Sequence, residues 1–333
     1  MTIQLATEYN YYRSEIRAIQ NQPEITVHSI GHVSGLQYST NPNITRIFQS
    51  LYGFTISMTN LSDINQRFNM AKSQAPYYDY GVFLLKEEVW HPSLQVWWGQ
   101  AKLSDWTIEG TLTLPNGSVL KLLKNWYIEK YGSWNQTWWD NVKVSNNAGE
   151  SIVLAWSSYY GYTLLKAWHE HMRSLGKKSA MIGLCGFSET PQNFRNAVKN
   201  LYYPGEMFNY FIQNYDLQTT GIHPNTFEKI PNDILWLKVL RNEWNYKGKI
   251  VHFLPSCWSD NWRCPWNRDV AKEDFKQALP YVDIMLAEPF ADISEWIVQN
   301  VDIPNHVQYI PIVIEWMKEY TTCPPSQCNF IIT

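Results

Sequence analysis

The chain has 333 residues, enough for one large core or two smaller ones, and its 45% hydrophobic content marks a folded protein rather than a disordered one. Charged residues make up only 17% and the net charge is −3 without long runs of either sign, which excludes a surface built for nucleic acid or anionic lipid. No run approaches the ~18 apolar residues of a membrane span, and the first residues show neither the basic nor the apolar region of a signal peptide, so a soluble chain is expected.

Apolar runs of strand length recur at residues 25–30, 54–58, 80–85, 152–156, 180–185, 250–254, 282–287 and 309–315. Between them the apolar spacing turns helical: 162–175, stopped by Gly176; 193–202, ending before Pro204; 233–244, stopped by Gly248; then 272–279 and 294–300. Strands alternating with helices pair in parallel, with helices on the faces. Eight such units predict an α/β fold, a (β/α)8 TIM-like barrel, whose site belongs at the C-terminal ends of the strands. An open doubly wound sheet is the competing arrangement, but no GxGxxG or GxxxxGK[ST] follows any run, which removes its nucleotide-binding versions.

Residues 87–150 break the alternation. The stretch 110–122 alternates around Asn116-Gly117 and predicts a β-hairpin, so an all-β insertion is expected after the third strand. Residues 1–86 are then the first part of the barrel, 87–150 a Trp-rich β insertion, and 151–333 the rest of the barrel. Eight of the 17 tryptophans lie in that insertion, and Trp138 and Trp139 sit among amide side chains. Rings beside amides suit a sugar, which stacks its C–H face and hydrogen-bonds at its edge; the alternative is that a small lobe uses Trp to bury area.

Two apolar runs end on a glutamate, Glu288 and Glu315. A carboxylate closing an apolar run needs a polar cleft to emerge into, so this pair is expected to do acid/base work on a neutral substrate. Strands lie about 5 Å apart, which suits the ~5–5.5 Å carboxyl separation of a retaining glycosidase. The structural alternative is an ion pair with an arginine at the rim. Asp260, in a loop with Trp258 and Trp262 after the sixth run, ranks third, while Glu88 and Glu189 follow the third and fifth runs. Trp316 beside Glu315, Trp156 at the end of the fourth run and His32 complete the expected substrate-binding set.

His28 and His32 share a strand face and His252 lies within the sixth run, but their spacing differs from metal-dependent barrel hydrolases, so no metal and no other cofactor is expected. His169-Glu170-His171 places its histidines on different faces of a helix and reads as solvated surface. Of five cysteines, Cys257/Cys264 and Cys323/Cys328 are close enough for two local disulfides, with Cys185 left over; reduced thiols are the alternative. Together with four Asn-x-Ser/Thr sequons at Asn43, Asn60, Asn116 and Asn135, this points to an extracellular or cell- or virion-surface location.

Strand–helix units, acids ending late strands and Trp-rich loops resemble the (β/α)8 glycoside hydrolases as a broad group. The resemblance implies a hydrolase acting on an oligo- or polysaccharide, with Glu315 as nucleophile or base and Glu288 as general acid. In the large retaining clan of that fold an acid follows the fourth strand, whereas the fourth run here ends Ala155-Trp156-Ser157-Ser158 without one. The rival reading is a non-catalytic carbohydrate-binding or surface protein on a barrel scaffold.

Overall fold

The structure is a computed structural model and describes residues 4–8, 25–26, 28–32, 46–49, 59–83, 92–97, 99, 101–181, 206–220, 227–253, 268–287, 315–316, 319–320 and 328–329. Eight parallel strands carry the fold: β1 (Gln4–Glu8), β2 (His28–His32), β3 (Arg46–Gln49), β4 (Tyr80–Val82), β5 (Lys178–Met181), β6 (Leu217–Thr220), β7 (Lys249–Phe253) and β8 (Ile284–Ala287). Each pairs with its sequence neighbours, and β1 pairs in turn with β8, Gln4 opposite Ile284, so the sheet closes on itself. Closure leaves no strand edge unpaired. This mixed α/β architecture is compatible with a TIM-like barrel.

The described helices are α1 (Leu61–Gln74), α2 (Pro92–Trp97), α3 (Leu123–Tyr131), α4 (Gln136–Val144), α5 (Ser151–Ser174), α6 (Glu206–Asn214), α7 (Ile230–Lys238) and α8 (Arg268–Ala278). Helix α1 links β3 to β4, α5 leads into β5, and α6, α7 and α8 occupy the next three connections.

Side chains alternate along each strand, and their contacts show which face meets the helices. Gly81 lies so close to Met172 of α5 that an added Cβ would collide with its sulfur. Ser179 Oγ lies 2.8 Å from His169 Nδ1 of the same helix, and His252 reaches α7 and α8. The alternate residues Val82, Ala180, Leu217 and Val251, all fully buried, therefore turn to the barrel axis.

The start of each late strand is held by a carboxylate. Asp216, just before β6, accepts from Ser179 N at 2.8 Å and pairs with Arg173 at 2.7 Å. Asp283, just before β8, accepts from Ile250 N at 2.8 Å and pairs with Arg241. That guanidinium also donates to the carbonyls of Tyr246, Gly248 and Tyr281, tying two turns to one side chain. Fixed charges at the N-terminal rim of such a barrel serve stability.

Three expectations need correction. Residues 152–156 belong to helix α5, not to a strand: Glu150 caps its first N–H groups, and Val153, Trp156, Tyr160, Leu164, Trp168 and Met172 recur at helical spacing on a buried face. The excursion after β4 is mainly helical. It keeps the expected hairpin, Thr111–Thr113 against Val119–Lys121 with Gly117 at φ +83°, but α2 precedes it and α3 and α4 follow it in the chain. Glu315 and Trp316, at the end of an expected strand, are helical. Three strands were unexpected, β1, β3 and β6, because their sequences QLATE, RIFQ and LQTT lack an apolar run. The run 54–58 lies outside the described residues.

Trp156 couples the excursion to α5 by donating from Nε1 to Lys121 O at 3.0 Å. Trp156→Phe removes that donor while filling most of the volume. Stability in urea denaturation is expected to fall by about 1–3 kcal/mol, the cost of leaving a buried carbonyl unsatisfied.

Candidate functional site

The sequence-expected residues divide sharply. Glu288, Asp260, Trp258 and Trp262 lie outside the described residues, as do the Cys257, Cys264 and Cys323 thiols; of His32 and Cys328 only the backbone is described. Glu315 is at the surface, its side chain 69% exposed, with its carboxylate 3.6 Å from Arg268 at the start of α8. Trp316 is 1% exposed and packs on Phe275, ring centres 5.9 Å apart. Further pairing between Lys272 and Glu319 at 2.8 Å continues the seam. Residues 315, 316, 319 and 320 thus dock along α8, and Trp316 is the apolar anchor of that seam, not a face open to a ligand.

Trp156 is fully buried between Trp106 and Tyr160, and Trp139 is 3% exposed. Neither ring has a face to offer a sugar. Trp138 differs. With Trp134 it is half-buried, and the two rings sit edge-on, 5.8 Å apart, around Tyr127. Tyr131 beside them is 47% exposed, and Gln136 bonds both Trp134 Nε1 and Asp140, placing amide and carboxylate groups at the rim of the patch.

Three sequon asparagines already have structural work. Asn60 caps α1, Asn135 caps α4, and Asn116 organises the hairpin turn while donating to Glu170 at 2.6 Å. His169 and His171, expected to be solvated, are buried because α5 is covered on more than one side. His171 Nε2 meets Phe68 O at 3.2 Å, and burial lowers the pKa of both imidazoles.

A cluster that the sequence did not assemble lies between β7 and its flanking helices. Asp233 belongs to the first turn of α7, His252 to β7 and Asp274 to α8, and all three are fully buried. His252 Nε2 is 2.8 Å from Asp274 Oδ2 and 3.4 Å from Asp233 Oδ2. Burial pushes the Asp274 carboxyl well above the usual carboxylate range, with a hydrogen bond to Asp233 acting against it. One proton shared between two carboxyls, beside an imidazole, is how such a group remains without water. His252 was visible as a polar residue inside an apolar run. Its partners, 19 positions before and 22 after in the chain, carried no local signal.

No protein-family model matches the chain, and no curated protein matches it in sequence. Among solved structures the chain is similar to a GH128 (subgroup I) endo-beta-1,3-glucanase from Amycolatopsis mediterranei, in complex with laminaripentaose. The two share 9% identity over 86% of this chain and 88% of that one, with a TM-score of 0.40. Among the described residues no helix is long and apolar enough to cross a membrane.

The elevated pKa of Asp274 sets a direction for pH dependence. Between the carboxyl's ordinary range and its raised folded value, the folded chain holds more protons than the unfolded one. Stability from this group is therefore full in acid and is lost as pH rises through the folded value, by at most about 1.4 kcal/mol per pH unit. In chelator-containing buffer, urea unfolding across pH should show that decline in the native chain. Asp274→Asn, which stays neutral and can still donate to Asp233, should flatten it.

Proposed function

We propose that the protein is a glycoside hydrolase acting on an oligo- or polysaccharide at the C-terminal rim of a TIM-like (β/α)8 barrel. The observation that carries this reading is the place of Glu288, the residue directly after the last position of β8. Barrel enzymes gather their reacting groups at that end of the strands. The strand order also renumbers the acids. Tyr80–Val82 is the fourth strand, so Glu88 follows it by six residues, and Lys249–Phe253 is the seventh, so Asp260 follows it by seven. The run without an acid, 152–156, is helix α5 and not the fourth strand.

In this proposal Glu288 is one carboxylate of the pair, and Asp260, in the Trp258/Trp262 loop after the neighbouring strand β7, is its partner. Glu88 is the acid to test if Asp260 fails. Glu315, ion-paired with Arg268 at the surface, takes the structural role. The bound sugar would stack on tryptophans of the same loop, and a setting poor in water would raise the acid's pKa toward its working range.

Turnover on a glycan panel tests the assignment. Glu288→Gln keeps shape and loses charge, so cleavage should fall by about three or more orders of magnitude while binding persists. Glu315→Gln should leave turnover within about twofold, since an exposed ion pair contributes little. Full activity in Glu288→Gln would end the assignment.

The half-buried Trp134, Trp138 and Tyr131 patch favours a second reading, a carbohydrate-binding protein that does not cleave. If the native chain binds glycans without hydrolysing any, and Trp138→Ala weakens that binding about tenfold as loss of a stacked ring would, this reading replaces the first.

A further inference from the structure

The Asp233–His252–Asp274 cluster belongs to the layer between barrel and helices and is distinct from the rim discussed above. One imidazole nitrogen and carboxylate oxygens from two residues lie within 4.8 Å of one another, each fully buried. With a neutral imidazole the two carboxylates carry two negative charges. No lysine or arginine figures among the groups acting on Asp274, whose electrostatic surroundings are its own burial and Asp233. A buried pair of this kind is neutralised either by protons or by a cation.

We propose that Asp233, His252 and Asp274 form a structural site for one divalent transition-metal ion, with zinc the best chemical match. Three features carry it. A four-coordinate zinc with bonds of about 2.0–2.1 Å holds ligand atoms from different residues about 3.3 Å from one another. The two Nε2-to-oxygen separations, 2.8 and 3.4 Å, bracket that spacing. Asp274 Oδ1 is buried and has no hydrogen-bond partner, which supplies the fourth donor when that carboxylate binds through both oxygens. The set of one nitrogen and three oxygens, all from protein and closed to solvent, fits zinc. It is too hard for copper(I) and leaves no room for the waters that magnesium retains.

The ion displaces the shared carboxyl proton and leaves His252 neutral, so binding releases protons and strengthens as pH rises. Bound there, it pins α7, β7 and α8 together through one centre. The assignment does not depend on the hydrolase reading, because the cluster faces away from the barrel axis.

The experiment uses untagged full-length protein purified without chelator. Elemental analysis should find about one zinc per chain, and metal-free protein should show a higher Tm on adding zinc, as any ligand of the folded state gives. Zinc should also reverse the pH trend seen in chelator, with stability now rising through the mildly acidic range. Cobalt(II) added to metal-free protein should give the visible absorption of a low-coordinate site, and Asp274→Asn should abolish it. Should that variant not fold, zinc titration of the native chain at fixed pH decides alone: a Tm rise that saturates at one equivalent supports the site. A chain that carries no metal, and whose Tm is indifferent to excess zinc and cobalt, overturns the proposal.

Discussion

Helix α5 is the constraint on which the described structure depends. Its 24 residues span about 36 Å, longer than the barrel strands it accompanies, and it uses that length to hold two bodies at once. Toward its N-terminus Trp156 and Tyr159 bond the carbonyls of Lys121 and Val119 on the hairpin. Toward its C-terminus Trp168 donates to Gly81 O of β4, while Leu165 O accepts from Tyr215 just before β6. Every one of these bonds joins an aromatic polar edge to a backbone carbonyl. The ring supplies buried apolar area, and its single polar atom satisfies a carbonyl that would otherwise be orphaned.

That economy explains part of the tryptophan content. Reading the rings as sugar platforms assumes free faces, and in Trp106, Trp126, Trp139, Trp156 and Trp168 those faces are used in packing. Sequence cannot separate the two uses, because a stacking ring and a core ring of the same type differ only in what covers them. The half-buried Trp134 and Trp138 are the ones whose environment leaves the question chemical rather than structural.

What was legible in the sequence follows from how much local information each element carries. The strand runs at 80–85, 180–185, 250–254 and 282–287 overlap β4, β5, β7 and β8, since each is largely apolar, as a strand between axis and helices is. The polar strand LQTT at β6 was invisible because its order comes from pairing with β5 and β7 rather than from composition. The run IVLAW at 152–156 misled for the opposite reason. Five apolar residues fit a strand or one buried helical turn equally, and the Glu150 cap together with the continuing helical period decided for helix. The Asn-Gly hairpin, whose signal is backbone chemistry at two adjacent residues, survived intact.

The acids show the same division between local and global information. Glu315 ends an apolar run, as a catalytic carboxylate would, yet Arg268, 47 positions earlier, sits beside it, and that pairing is a product of the fold alone. In contrast, the buried carboxylates Asp233 and Asp274 lie in helices, the second rich in charge, where an aspartate on the inner face looks like any other until the helix meets a strand. The residue that could have betrayed them is His252. A histidine in the middle of an apolar strand requires a partner on whichever side it faces, and the partner's charge determines what else the cavity must hold. Two carboxylates around one imidazole join α7, β7 and α8 at the back of the strand, so the helix layer there is held by polar contacts as well as by packing.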